Sequence, residues 1–206
     1  MTTEAELAQE TGIPLAALQA IRQVESGGNP RAVRFETRVF RNRTGRTVEG
    51  SNRAAFEKAY LINPLEAVNS TSWGWFQVMG FHGFPEMYGG PAQAVAAFDA
   101  DPISVGVALF RRWMSRASAE PAKEAARNLD FARFASIYNG CSLNPLGNPP
   151  CTRYQTRMQA AYEAALERGG EMVTSLVTPT PSSMGIWFLG ATLFAGAAYL
   201  IATRNK

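Results

Sequence analysis

Apolar residues recur every three or four positions along most of the chain, and the pattern predicts helices over Glu4–Glu10, Pro14–Glu25, Asn52–Tyr60, Pro91–Phe98, Pro102–Arg116, Ala122–Arg127, Phe131–Tyr138 and Arg153–Arg168. Pro14 and Pro102 stand just inside two of the predicted starts, where a missing amide costs nothing, and Asp101 is placed to cap the second. The stretch from Phe35 to Val48 is the one candidate for a small hairpin, with Thr44-Gly45 at its turn. The expected fold is mostly α, with that hairpin as its β content. No repeat is evident.

Beyond Gly169-Gly170 the pattern changes. Residues 171–183 are rich in Pro, Ser and Thr and read as an extended tether. Residues 184–202, "MGIWFLGATLFAGAAYLIA", hold no charge and at ~1.5 Å per residue are long enough to cross the apolar part of a bilayer. The expectation is a single transmembrane helix, flanked by Trp187, Tyr199 and a short basic tail over 203–206 that faces the cytoplasm or its equivalent, with the large domain of residues 1–170 on the opposite side. A buried core helix is the other reading of that stretch. The polar start "MTTEAELAQE" does not read as a cleavable signal.

Composition narrows the partners. Twenty Lys and Arg against 17 Asp and Glu give a net charge of +3, and the basic residues read as dispersed over a solvated surface, so no nucleic-acid partner is expected. Cys141 and Cys151 bracket a Pro-, Gly- and Asn-rich loop; a disulfide clip and two free thiols both fit. With His82 as the one histidine, no metal site and no cofactor are expected.

The candidate chemistry begins at "QVESGGNP". Glu25 follows Ile21 by four residues, beside the apolar stripe of its helix and in the helix's last turn, and Gly27-Gly28 break the helix directly after it. Partial burial and the negative end of the helix dipole both push a carboxyl pKa upward, which suits a general acid; a solvated glutamate before a glycine cap fits the same letters. "STSWGWFQVMGF" interleaves small residues with Trp73, Trp75, Phe76 and Gln77, a composition that suits a sugar groove, and "SIYNG" sets Tyr138 and Asn139 at a helix end; each string alone also reads as core packing or capping.

Taken in order, "VESGGNPRAV", "RFETRVF", "SWGWFQVMGF", "ASIYNG" and "RYQTRMQAAY" resemble the lysozyme-like superfamily of goose-type lysozymes and lytic transglycosylases, and most of all the phage N-acetylmuramidase family. The resemblance runs from about Leu7 to Leu166. It implies a peptidoglycan substrate, cleavage of the β-1,4 bond between N-acetylmuramic acid and N-acetylglucosamine, Glu25 as the acid, and a groove lined by Ser26, Ser72, Trp73, Gln77, Tyr138 and Asn139. Glu36, in the family-like "RFE" stretch, is the candidate second carboxylate of a hydrolase, although Arg34 and Arg38 flank it and a surface ion pair explains it equally. A lytic transglycosylase needs no such partner. The Cys-bracketed loop departs from the family pattern and leaves the groove's shape on that side open.

Two other functions compete with glycosidic cleavage: a membrane-anchored wall-binding protein without turnover, which has no use for an acidic Glu25, and a cysteine peptidase built on Cys141 or Cys151 with His82. With the anchor, the expected setting is a bacteriophage virion membrane, with virion structural proteins as neighbours, or a phage lysis enzyme at the host membrane. A bacterial wall-remodelling enzyme is the alternative.

Overall fold

The computed structural model describes residues 3–140 and 149–177, with nothing said of side chains at 149–151 and 170–177. Its elements run α1 (Glu4–Thr11), α2 (Leu15–Ser26), β1 (Val33–Phe35), α3 (Thr37–Thr44), α4 (Arg53–Ile62), α5 (Pro64–Asn69), β2 (Thr71–Trp73), β3 (Val78–Met79), α6 (Phe84–Tyr88), α7 (Pro91–Ala100), α8 (Pro102–Met114), α9 (Glu120–Arg127), α10 (Phe131–Tyr138) and α11 (Pro149–Val177). The mostly helical fold is as expected. The expected tether begins inside a helix, because α11 continues through Gly169 and Gly170 to Val177. The 184–202 stretch, the basic tail and the state of the Cys141–Cys151 pair lie outside the described residues; no helix among those described is long and apolar enough to cross a membrane.

The helix ends follow local chemistry. Asn52 accepts the Ala55 amide at the start of α4 (3.1 Å), and Asp101 accepts that of Ser104 at the start of α8 (3.1 Å), with Pro102 in its first turn. Thr3 and Glu6 form a reciprocal capping box at α1.

The hairpin expected over 35–48 does not form; its centre is α3. Phe40 turns inward to meet Phe35 (5.5 Å between rings), and Thr44 Oγ1 donates to the Phe40 carbonyl. Gly45, at φ 72°, ends the helix instead of turning a hairpin, and Arg41 and Arg43 lie in the last turn, where cations suit the helix dipole. The segment carries too few apolar residues to mark a period, and Phe35 and Phe40 stand five positions apart. With Arg46 just beyond, α3 also concentrates the basic charge that the chain-wide count presents as dispersed.

The β structure is an antiparallel sheet of order β1-β2-β3, with Val33 opposite Trp73 and Trp73 opposite Val78. Two of its strands come from the stretch singled out as a sugar groove. Period-two alternation splits that stretch between two environments. Ser72 lines a cleft, whereas Trp73 is fully buried in a cage of Phe56, Phe84 and Phe98, at 5.1, 5.1 and 5.0 Å, with Nε1 donating to the Val68 carbonyl. Gly80 packs its backbone against Val68 at the same place, and a Cβ there would collide with the Val68 carbonyl. The second half of the molecule is helical: α11 lies along α2 and α10, and α10 packs on α9.

Candidate active site

Glu25 sits one residue before the end of α2, whose buried face is Ala17, Leu18, Ala20, Ile21 and Val24, while Leu15 at its start is exposed. Gly27 and Gly28, at φ 64° and 79°, turn the chain away at once in the left-handed region that glycine occupies without strain. Two long side chains fix this turn. Trp75 donates Nε1–H to the Gly28 carbonyl (3.0 Å), while Arg157 of α11 donates to the Val24 carbonyl (2.8 Å). The helix therefore stops where the carboxylate emerges, half-buried, at the edge of a cleft of about 310 Å³.

The carboxyl itself is held at one oxygen. Tyr154 Oη donates to Glu25 Oε1 (2.6 Å), and Asn139 Nδ2 donates to the same atom (3.4 Å). Oε2 has no hydrogen-bond partner among the described residues and is not a buried orphan, so it is the oxygen open to the cleft. Burial drives the Glu25 pKa above the usual carboxyl range. The Tyr154 and Asn139 hydrogen bonds and the charges of Arg34 and Arg157 oppose that rise without cancelling it. Tyr154 and Tyr138 are pushed well above the ordinary tyrosine value, first by burial and then by Glu25, so both remain O–H donors.

The rest of the cleft comes from the sheet and from α3, α8 and α10, with Glu36, Ser72, Gln77, Phe81, Trp113 and Tyr138 among its lining. Gln77 adopts φ 51°, an uncommon conformation for a residue with a side chain, as part of the turn between β2 and β3. Its Nε2 faces two carbonyls, Gly74 at 2.9 Å and Ala32 at 3.2 Å, which identifies that atom as the amide nitrogen and leaves Oε1 as the group without a partner among the described residues. Tyr138 donates to the Phe76 carbonyl, and Ser72 Oγ meets Met79 Sδ at 3.0 Å.

The structure thus gathers Glu25, Glu36, Ser72, Gln77, Tyr138 and Asn139 around one space. It removes two expected groove residues. Trp73 belongs to the core, on the other side of its strand from Ser72, and Ser26 turns its Oγ back onto the Arg22 carbonyl of its own helix (2.9 Å) without lining the cleft. It also adds Tyr154 and Arg157, one helical turn apart on α11, whose i, i+3 spacing placed them on one face but gave no hint that the face meets Glu25.

Tyr154→Phe removes the hydrogen bond that most favours the charged form of Glu25. If Glu25 is the acid, the alkaline limb of the activity's pH profile is expected to move to higher pH, with a loss in kcat of about tenfold as the carboxyl loses its orientation. A limb that stays in place would mean that this contact does not set the carboxyl's titration.

A half-buried carboxyl with a raised pKa, one oxygen held and the other open, facing a cleft between a small antiparallel sheet and a helical half, defines a glycoside hydrolase of the lysozyme type. The N-acetylmuramidase family model matches residues 41–166, and the chain belongs to that family: it is a muramidase. Among solved structures, the fold is similar to the crystal structure of the Burkholderia AP3 phage endolysin, with a TM-score of 0.57 and 24% identity, over 81% of this chain and 71% of that one. No curated protein sequence matches it. Tyr154 and the Gln77, Tyr138 and Asn139 positions fall within the family match, whereas Glu25 and Glu36 precede it.

Proposed function

We propose that the chain hydrolyses the β-1,4 bond between N-acetylmuramic acid and N-acetylglucosamine in peptidoglycan, with Glu25 as general acid. The observation that carries this reading is the asymmetry of the Glu25 carboxyl: Oε1 accepts from Tyr154 and Asn139, and Oε2 has no partner among the described residues. When this carboxyl, its pKa raised by burial, is protonated, the proton lies on Oε2, since both neighbours of Oε1 are donors. The proton passes to the glycosidic oxygen as the bond from the sugar's anomeric carbon to that oxygen breaks. The leaving sugar departs as an alcohol, and water completes the reaction at the anomeric carbon.

Glu36 is the proposed second carboxylate. It lines the same cleft, and Arg34 Nε donates to its Oε1 at 2.7 Å, which fixes one oxygen and leaves the other to meet water or the anomeric carbon. Product analysis of wall digests tests the pair. Hydrolysis leaves reducing muramic acid ends, and Glu36→Gln is expected to lower their release by about a hundredfold without changing their chemistry. Anhydro ends would assign a transglycosylase route through the muramyl C6 hydroxyl, and a fully active Glu36→Gln would remove Glu36 from the mechanism.

The uncharged 184–202 stretch is the reason to propose that this activity works at a membrane, in a phage particle or in lysis. Alkaline washing of membranes bearing the full chain tests the tether: release into the supernatant would exclude it.

A further inference from the structure

The cleft wall includes His82, the chain's one histidine, and the groups around it are not explained by acid catalysis. Two guanidiniums bracket it. Arg112 donates Nε–H to the His82 carbonyl (3.1 Å), and Arg116 meets His82 Nδ1. Neither has a carboxylate partner among the described residues, unlike Arg34 and Arg43, which pair with Glu36 and Glu66. Both are exposed.

The contact with Arg116 fixes the chemistry of the ring. A guanidinium has only donors, so Nδ1 must accept, and the proton of the neutral imidazole lies on Nε2. Burial, with the charge of Arg116, lowers the His82 pKa to about 4, so the ring is neutral at neutral pH. Nε2 has no partner among the described residues. The ring is steadied by Phe81 (4.4 Å between centroids) and by the edge of Trp113 (6.5 Å).

The backbone leaves room for this arrangement. Gly83, the next residue, has φ 101°, and a Cβ there would collide with the Arg112 guanidinium. The corner therefore offers two forked cations and an N–H, with no side-chain acceptor among the groups that meet there. A sugar hydroxyl, both donor and acceptor, would find only donors among these groups and would have to turn its own proton to water. An acceptor-only anion suits it.

We infer that the corner formed by His82, Arg112 and Arg116 binds a carboxylate of the peptide stem carried by muramyl residues, so that the enzyme selects stem-bearing glycan over bare glycan. The inference rests on the peptidoglycan reading above. It extends that reading from the sugar rings to the stem carboxylates, which lie farther from the glycan than the lactyl carboxylate that a bare muramyl residue carries.

The test compares soluble glycan strands with and without their peptide stems, using the full chain. The wild type is expected to show a KM about tenfold lower on stem-bearing strands, as for loss of a charge-assisted hydrogen bond. Arg112→Gln with Arg116→Gln should lose that preference while its kcat and its KM on bare strands stay at the wild-type values. Arg116→Gln alone should lose part of it, and melting curves for both variants check that the fold is retained. A wild type without stem preference, or a double variant that keeps it, overturns the inference. Equal loss on both kinds of strand also overturns it, since that would make the corner a sugar site or a structural one. Binding of the Glu25→Gln chain to the same strands, read by fluorescence anisotropy, answers the stem question without turnover. If no strand is cleaved by any variant, the catalytic reading fails, and this binding comparison still decides whether the corner recognises stems.

Discussion

Glu25→Gln is expected to lower wall cleavage by roughly a hundred- to ten-thousandfold, the range for loss of a positioned acid, while leaving the fold intact. Glutamine keeps the shape, and its Oε1 still accepts from Tyr154 and Asn139. What disappears is the proton on the open oxygen. The same variant makes a thermodynamic prediction. Because burial raises the Glu25 pKa in the folded state, the native protein holds a proton over a pH window in which the unfolded chain has already released it. The unfolded state then binds fewer protons, and stability falls as pH rises from the ordinary carboxyl value through the raised one. The wild-type melting temperature should drop relative to Glu25→Gln across that window, with the gap constant below it and constant again above it. Zymography beside melting curves at several pH values reads both effects. Equal clearing by the two proteins would end the assignment of the acid and favour a wall-binding role, and parallel melting curves would show that the carboxyl is not shifted by burial.

Trp73→Ala is expected to have the largest effect on stability, because the side chain is fully buried against three phenylalanines and makes its own hydrogen bond to the Val68 carbonyl. Truncating a buried tryptophan costs about 3–5 kcal/mol, which for a protein of this size lowers the melting temperature by roughly 6–20 °C. Trp73→Phe keeps only part of the ring contacts and leaves the Val68 carbonyl without its donor, so a smaller loss of about 1–3 kcal/mol is expected. Thermal unfolding followed by circular dichroism separates these cases. If Trp73→Ala melted like the wild type and instead raised KM for glycan, the residue would belong to the groove after all.

Trp73 and Ser72 also mark where the one-dimensional pattern stops being informative. Adjacent strand residues face opposite sides, so a short run of aromatic and small residues cannot reveal which of them meets substrate and which meets the core. The same limit explains α3. Its one buried apolar residue, Phe40, cannot establish a period, and the choice between helix and hairpin fell to Phe35, to the cap at Gly45 and to the pairing of β1 with β2. Glu25 was easier to read. Its spacing from Ile21 and the glycine pair after it are local facts, and they dictate its place beside the buried face and the helix end.

By itself, the sequence determined the helical class, the helix cap at Asp101, the break after α2, and a carboxylate poised at the end of a partly apolar stripe, because each of these depends on residues within about one or two turns of one another. Only the tertiary structure decided which distant side chains serve that carboxylate. Tyr154 and Asn139 arrive at Glu25 Oε1 from α11 and the end of α10, more than a hundred positions along the chain, through packing of α11 against α2 that no local period encodes. That packing leaves Oε2 open, while the β1-β2-β3 sheet brings Glu36, just after β1, and His82, just after β3, to the walls of the same cleft. A pKa depends on what surrounds a group in space, and a sequence orders its residues only along the chain.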